Sequence, residues 1–449
     1  MSYIPHTDVE RQQMLAAIGV TTIEDLFEAV PSRYRFPKLN LPSAMSELEV
    51  AQEMQALADA NEHGADFALF RGAGAYHHYI PAAVNHILLR GEFYTAYTPY
   101  QPEMSQGTLQ AIYEYQSMLC ALTGMDAANA SHYDGATSLA EAVTVALEVG
   151  RRKRTKIVLH PAIHPDYRAV ARTYHQGNGI EFVGDTGKTP EKTSADDLIK
   201  LIDDNTAMVA VQYPNFFGAI EDFSKLVEAT HNAGALITFV VNPMALALFN
   251  PPGQMGADMV VGEGQPLGIP LSYGGPYLGF FAVRDEYVRK IAGRIVGESL
   301  DKEGRRAFVM TLRPREQDIR RDKATSNICT NQGLMALAAC VYLSLMGRNG
   351  LRKVAEINYH RAHYAAKQIN KIKGYKVTTT KPFFNEFTVK TTKPIGEINA
   401  ALIERGIIGG VDLESYYPKL KDHMLIAVTE MNSKDEIDTL VEALKDIAS

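Results

Sequence analysis

The sequence predicts an α/β protein. A large domain with a mainly parallel sheet is preceded by a helical arm and followed by a small α+β domain. Two observations carry this prediction. Short apolar runs alternate with helix-patterned stretches through the middle of the chain, the signature of strands with crossover helices. After Asn331 the texture changes to long helical stretches and a few short strands. The size fits: 449 residues suggest two or three domains, and 46% hydrophobic with 22% charged residues is an ordinary globular composition.

Residues 1–63 form the arm. Thr7 to Ile18 has helical spacing with acidic residues early, Gly19 stops it, and Thr22 restarts a helix for Ile23 to Val30. Pro31, Pro37 and Pro42 mark an extended connection. The pattern leaves open whether the arm packs on its own domain or embraces a partner. Residues 64–330 form the large domain. Ser105 to Leu122 reads as a helix stopped by Gly124, and Gly135 to Val149 as a second. Lys156 to Leu159, Ile180 to Val183 and Ala207 to Val211 read as strands, and Phe223 to Asn232 as a helix ended by Gly234. Leu236 to Val241, Met259 to Val261 and Leu278 to Val283 follow as strands, with right-handed crossovers expected. Residues 331–449 form the small domain. Its helices are predicted at Gly333 to Met346, Val354 to Ile372 and Ile398 to Glu404. Its strands lie near Tyr375 to Thr378, Phe387 to Val389 and Met424 to Val428. Ser433 and Glu436 open a terminal helix as a capping box.

Charge and motifs narrow the function. A net charge of −7 speaks against a nucleic-acid binder. No uninterrupted apolar run reaches the roughly 18 residues of a membrane span, and the polar N-terminus does not read as a signal peptide. Cys120, Cys329 and Cys340 form no CxxC pair, so a reducing, cytoplasmic setting is expected. Cys329 is expected to be a small buried core residue rather than a redox thiol. Gly72-Ala73-Gly74 and Gly262-Glu263-Gly264 both fail the dinucleotide fingerprint. His160 and His164 have a metal-like spacing, but Pro161 and Pro165 speak against a helix there, and no metal site is expected. His164 instead follows a strand, where ligands sit in open α/β sheets. The basic run Arg151 to Arg154 is expected to complement the negative end of a helix dipole. Asp134-Gly135-Ala136-Thr137-Ser138 opens a helix with small residues. This suits either a phosphate at free N–H groups or an ordinary N-cap.

A further set of stretches runs in order along most of the chain. It comprises Tyr97-Thr98-Pro99-Tyr100-Gln101-Pro102-Glu103, Ser105-Gln106-Gly107, Tyr133-Asp134-Gly135-Ala136-Thr137 and Gly262-Glu263-Gly264-Gln265. Tyr273-Gly274-Gly275-Pro276, Arg315-Glu316-Gln317 and Lys323-Ala324-Thr325-Ser326-Asn327-Ile328-Cys329-Thr330 complete it. Together they resemble the P-protein, the glycine decarboxylase of the glycine cleavage system. The length matches the first subunit of the family's two-subunit form. The resemblance implies the fold type I, aspartate aminotransferase-like architecture and dependence on pyridoxal phosphate. It implies an aminomethyl-transferring, decarboxylating glycine dehydrogenase, working on glycine with the lipoylated H-protein as acceptor.

The same resemblance exposes two gaps. The family's catalytic half carries a His-Lys pair five residues before a Pro that leads into glycines. Here that Pro is Pro270, and the lysine position holds Gln265. No lysine occurs between Lys225 and Lys290. An amide cannot form the Schiff base that anchors the cofactor. The carboxylate expected beside the cofactor's ring nitrogen is replaced by Asn242, which cannot supply the charge. No catalytic residue is therefore expected in this chain, and alone it is expected to be inactive. Gly135, Ala136, Thr137 and His164 are expected to outline a degenerate pocket. Tyr97, Thr98, Tyr100 and Gln101, with Arg313 and Arg315 in the segment from Thr311, are expected to reach toward a partner's active site. The implied partner is the second, pyridoxal-phosphate-bearing subunit, in an α2β2 assembly. Two alternatives stay open: an independent pyridoxal enzyme using another lysine such as Lys323, and a purely structural or regulatory subunit.

Overall fold

The computed structural model describes residues 5–95, 97–186 and 193–448. The chain divides into two compact units, Met1–His63 and Gly64–Ser449. In the first, helix Asp8–Ile18 opens on a capping box between Thr7 and Glu10 and ends at Gly19 with φ 88°. Only a short 3-10 turn, Glu24–Phe27, forms where a helix to Val30 was expected. Helix Glu47–Asp59 was not foreseen. Its Leu48, Val50, Met54 and Leu57 are all exposed, so no buried stripe announces it. Its start is nonetheless legible as a capping box, Ser46 with Glu49.

The second unit is built on a seven-stranded sheet. From edge to edge its strands are Ala127–Ala128, Gly279–Val283, Met259–Glu263, Leu236–Val241, Thr206–Tyr213, Lys156–Leu159 and Glu181–Val183. The five strands from Met259–Glu263 onward pair in parallel, and Gly279–Val283 joins antiparallel. The strands read as nearly continuous apolar runs because both faces are covered. Successive residues feed opposite cores. Phe280 and Ala282 pack with Leu119, Phe239 and Tyr342, while Phe281 and Val283 pack with Leu139, Val143 and Ile163. Helices Gln106–Thr123 and Gly135–Val149 form as read, the first closed by Gly124 at φ 71°. The hairpin Ile295–Leu300 with Arg306–Thr311 was not foreseen. Its outer half is exposed and polar, which hides the strand pattern.

Arg154 does not serve its own helix. Its guanidinium reaches the carbonyls of Ala233 at 2.9 Å and Gly234 at 2.6 Å, just past the end of helix Ser224–Asn232. Of the basic run, Arg154 thus complements a neighbouring helix's negative end, while Arg152 pairs with Glu148 of its own helix at 2.7 Å.

Helix Gly333–Ile369 breaks at Gly347, where φ is 56° and ψ −176°. Its first part, with Ala336, Ala339, Tyr342 and Leu343, packs into the core beside the large sheet. Its later part, with Ala362, Ala365 and Ile369, packs into the small core. The expected division after residue 330 falls just before this shared helix. Among the described residues it is the one helix with the length and hydropathy of a membrane span, and its apolar face is spent on these cores. The small sheet has the order Lys376–Val377, Glu386–Lys390, His423–Ala427, Val411–Asp412. Helix Lys434–Ala448 starts with the expected box: Ser433 N–H donates to Glu436 at 2.7 Å, and Glu436 N–H to Ser433 Oγ at 3.1 Å.

Candidate functional site

The carboxyl ends of the parallel strands gather most of the residues expected to outline a pocket. Asn242 directly follows strand Leu236–Val241, and its Oδ1 accepts the N–H of Met244 at 3.0 Å. Gln265 lies just beyond Met259–Glu263 and is 1% exposed. His164 caps helix Pro165–Tyr174. As expected from Pro161 and Pro165, no helix carries the His160 and His164 pair; the helix begins only at Pro165. Proline stands at the first helical position, where its missing N–H costs nothing. Burial depresses the His164 pKa, and its Nε2 meets the Ala73 carbonyl at 2.8 Å.

The helix start at Gly135 to Thr137 has the form of a phosphate cradle, but the chain uses it itself. Asp134 forms a capping box with Thr137, accepting that residue's N–H at 2.7 Å. The Gly135 N–H donates to Glu263 Oε2 at 3.0 Å. The other oxygen of Glu263 accepts from the backbone of Gln265 at 3.0 Å and of Leu278 at 2.9 Å. Burial pushes the Glu263 carboxyl up to about 7, against the pull of these donors. Tyr167 stacks on His164, ring centroids 4.9 Å apart and planes 24° apart. A β-carbon at Gly135 would collide with the Tyr167 hydroxyl and lie 2.9 Å from the Glu263 nitrogen.

Gln265 is equally committed. Its Oε1 accepts from Tyr76 N–H at 2.8 Å, and its Nε2 donates to the carbonyls of Tyr76 and Ile269, each at 2.8 Å. Glu386 seals the same segment. It accepts from Ala73 N–H and the Tyr76 hydroxyl, both at 2.7 Å, and burial pushes it up to about 7. These residues do not fit pyridoxal phosphate: there is no amine at 265, no carboxylate at 242, and the Gly135 N–H is taken. Glu263, Tyr167, Tyr76 and Glu386 escaped the sequence reading. One signal was available: a carboxylate flanked by glycines at the end of a buried strand, beside the Gln265 already singled out.

The second group of residues lies elsewhere. Tyr97 is 80% exposed, Gln101 is exposed, and the Thr98 carbonyl accepts from Tyr100 N–H at 2.8 Å. The Tyr97 and Tyr100 rings meet edge-on at 6.2 Å. Two guanidiniums flank Tyr100: Arg313 at 5.2 Å and Arg294 at 5.6 Å from the ring centre. Arg294 also donates to the Tyr100 hydroxyl at 3.1 Å, and it lies 3.9 Å from Glu316. Arg294 is 5% exposed, yet its Nε and Nη1 have no hydrogen-bond partner. Arg313 pairs with Asp318 at 3.0 Å. Arg315 turns inward, donating to the carbonyls of Leu312 at 3.0 Å, Gly293 at 2.8 Å and Ile291. Its fork is therefore engaged within its own chain, and Arg294 is the arginine the sequence reading missed. Cys329 is exposed, which corrects the expectation of a buried core thiol. It lines a cavity of about 160 Å³ with Arg294, Arg315 and Glu316.

Comparison with known proteins gives a consistent result. A sequence model described as "Glycine cleavage system P-protein" matches residues 1–444. The chain is 53% identical over 446 residues to the probable glycine dehydrogenase (decarboxylating) subunit 1 of Thermomicrobium roseum, covering 99% of each. The protein of that name from Desulforamulus reducens is also 53% identical, over 445 residues and 99% of each chain. The crystal structure of glycine decarboxylase (P-protein) of the glycine cleavage system, in inhibitor-bound form, is similar with a TM-score of 0.88. It is 42% identical and 100% of both chains is covered. A sphingosine-1-phosphate lyase from Burkholderia pseudomallei shares the fold with a TM-score of 0.64 at 16% identity, over 93% of this chain and 94% of that one.

Proposed function

This chain belongs to the glycine cleavage system P-protein family, and from that premise we propose that it is subunit 1 of a two-subunit glycine dehydrogenase (decarboxylating). In this reading it contributes to decarboxylating glycine and passing the aminomethyl group to the lipoyl arm of an H-protein. A second subunit holds pyridoxal phosphate through a lysine, in an α2β2 assembly in the cytoplasm. The observation that carries the division of labour is Gln265. Its carboxamide is spent on Tyr76 and Ile269 at the position where an anchoring amine is required.

Pyridoxal phosphate, on the partner, supplies the electron sink for loss of carbon dioxide. This chain's part is to shape the neighbouring wall. Tyr97 projects from the loop, and Tyr100 behind it is held by the Arg294 hydrogen bond and two guanidinium faces. A loop pinned in this way can exclude water and orient a bound substrate without rearranging. Arg294, with Glu316 3.9 Å from its Nε, keeps Nη1 free of hydrogen bonds at that wall.

The test is borohydride reduction of the isolated chain with pyridoxal phosphate, alone and after adding a lysine-bearing second subunit. The expected result is no specific adduct on this chain, with turnover only in the mixture. A stoichiometric pyridoxyl adduct here, for instance on the exposed Lys323, would establish the self-sufficient enzyme instead. Unchanged turnover for Tyr97→Ala and Tyr100→Phe in an intact assembly would favour a purely structural subunit.

A further inference from the structure

We infer that the degenerate pocket is self-occupied: Glu263 and Tyr167 fill the place a phosphate-bearing cofactor would take, and Gln265 ties the covering segment down over them. The inference goes beyond the assignment of subunits and holds whatever the partner carries.

Three independent placements support it. The start of a long helix at the carboxyl end of a parallel sheet is an anion site, because its first N–H groups lack partners within the helix. Here the anion is the chain's own. Glu263 takes the Gly135 N–H and two further backbone N–H groups, three donors on one buried side chain. Tyr167 then takes the adjoining space. Its hydroxyl end lies against Gly135 so closely that only glycine fits, and its ring covers the face of His164. Finally, the segment from Gly72 to Tyr76 closes the top. Ala73 is fixed through its N–H to Glu386 and its carbonyl to His164. Tyr76 is fixed through both backbone groups to Gln265 and through its hydroxyl to Glu386. Gly72 is required here too: a β-carbon would lie 2.5 Å from both Glu386 Oε1 and the Ala427 methyl. The polar groups of Glu263, Gln265 and Glu386 are answered from within the chain.

The consequence is specific. Restoring the amine alone does not restore a cofactor site, because the anion seat and the ring space stay filled. In the full-length chain, Gln265→Lys is expected to give no more borohydride-trapped pyridoxyl adduct than wild type at that position. Combining it with Tyr167→Ala and Glu263→Ala empties both places, and an adduct at residue 265 is then expected with at least about tenfold tighter uptake of pyridoxal phosphate. A one-to-one adduct at residue 265 in the single variant would overturn the inference. A second measurement needs no variant to fold. Hydrogen exchange of the Gly135 and Leu278 amides in the wild-type chain is expected to be slow, and unaltered by inorganic phosphate. Rapid exchange that phosphate suppresses would show an open seat and would also overturn it.

Discussion

Two regions of this chain treat the polar groups of a ligand site in opposite ways. Around Gly135 and Gln265, Glu263, Gln265 and Glu386 all find partners within the chain, and the space is filled. Around Tyr100, Arg294 is buried with its Nε 3.9 Å from the Glu316 carboxylate and its Nη1 without a hydrogen-bond partner, and a tyrosine beside it stands in solvent. A buried donor left without a hydrogen-bond partner costs stability. The first region answers its own polar groups. The second leaves Arg294 Nη1 without a hydrogen-bond partner among the described residues.

That contrast can be broken most sharply with one residue from each side. Gly135→Ala is expected to destabilise the fold by about 2–3 kcal/mol, since the Tyr167 ring and the Glu263 backbone must both move. Tyr97→Ala is expected to change stability by less than about 0.5 kcal/mol while lowering turnover of the reconstituted enzyme. Urea unfolding of both, with activity of the second, reads the difference. If Gly135→Ala were silent, the pocket would not be filled as described.

Arg294→Gln sharpens the second region. It removes a charge-assisted bond to Tyr100, which is worth about 1.5–3 kcal/mol, so kcat/KM of the assembly is expected to fall about tenfold or more. Steady-state kinetics with glycine checks this. A fall in assembly with kinetics intact would make Arg294 a structural residue only.

The pH dependence separates the regions next. Burial raises the Glu263 and Glu386 carboxyls to about 7, and Glu141 likewise. A carboxyl raised in the folded state binds more protons folded than unfolded between its two pKa values. Its contribution to stability is therefore present below about 4.5, is lost as pH rises toward 7, and changes little above that. Glu263→Gln is expected to make the stability difference from wild type vary with pH across that window and stay constant above it. Denaturant midpoints at several pH values measure this, and a difference independent of pH would sink it. The smallest effect is expected at Cys329→Ser, within about 0.5 kcal/mol of wild type by thermal unfolding, because the thiol is exposed.

The contrast also explains what was legible in the amino-acid order. Strands Lys156–Leu159 and Leu236–Val241 and helix Gly135–Val149 form over the residues their patterns indicate, because burial on all sides writes a continuous run of apolar and small residues between clear stops. Helix Glu47–Asp59 lacks that signal because its apolar residues are exposed, and the hairpin from Ile295 because only its inner end is buried while its outer half is exposed and polar. At the pocket, Gln265 and Asn242 were visible as misfits against the family pattern. Glu263 and Tyr167 were not, because each is unremarkable until the fold sets it against the Gly135 helix. Arg294 was missed for Arg315 because spacing shows which arginines lie near a loop, not which carbonyls have already claimed their hydrogens.

The helix from Gly333 to Ile369 carries a last consequence. Its first part is anchored beside the large sheet and its later part in the small core. Melting either core therefore frays an element on which the other depends. The two are thermodynamically coupled, and a calorimetric scan should register residues 64–449 as one cooperative transition rather than two. Gly347 then acts as a bend that lets one continuous element be shared between them without breaking that cooperativity.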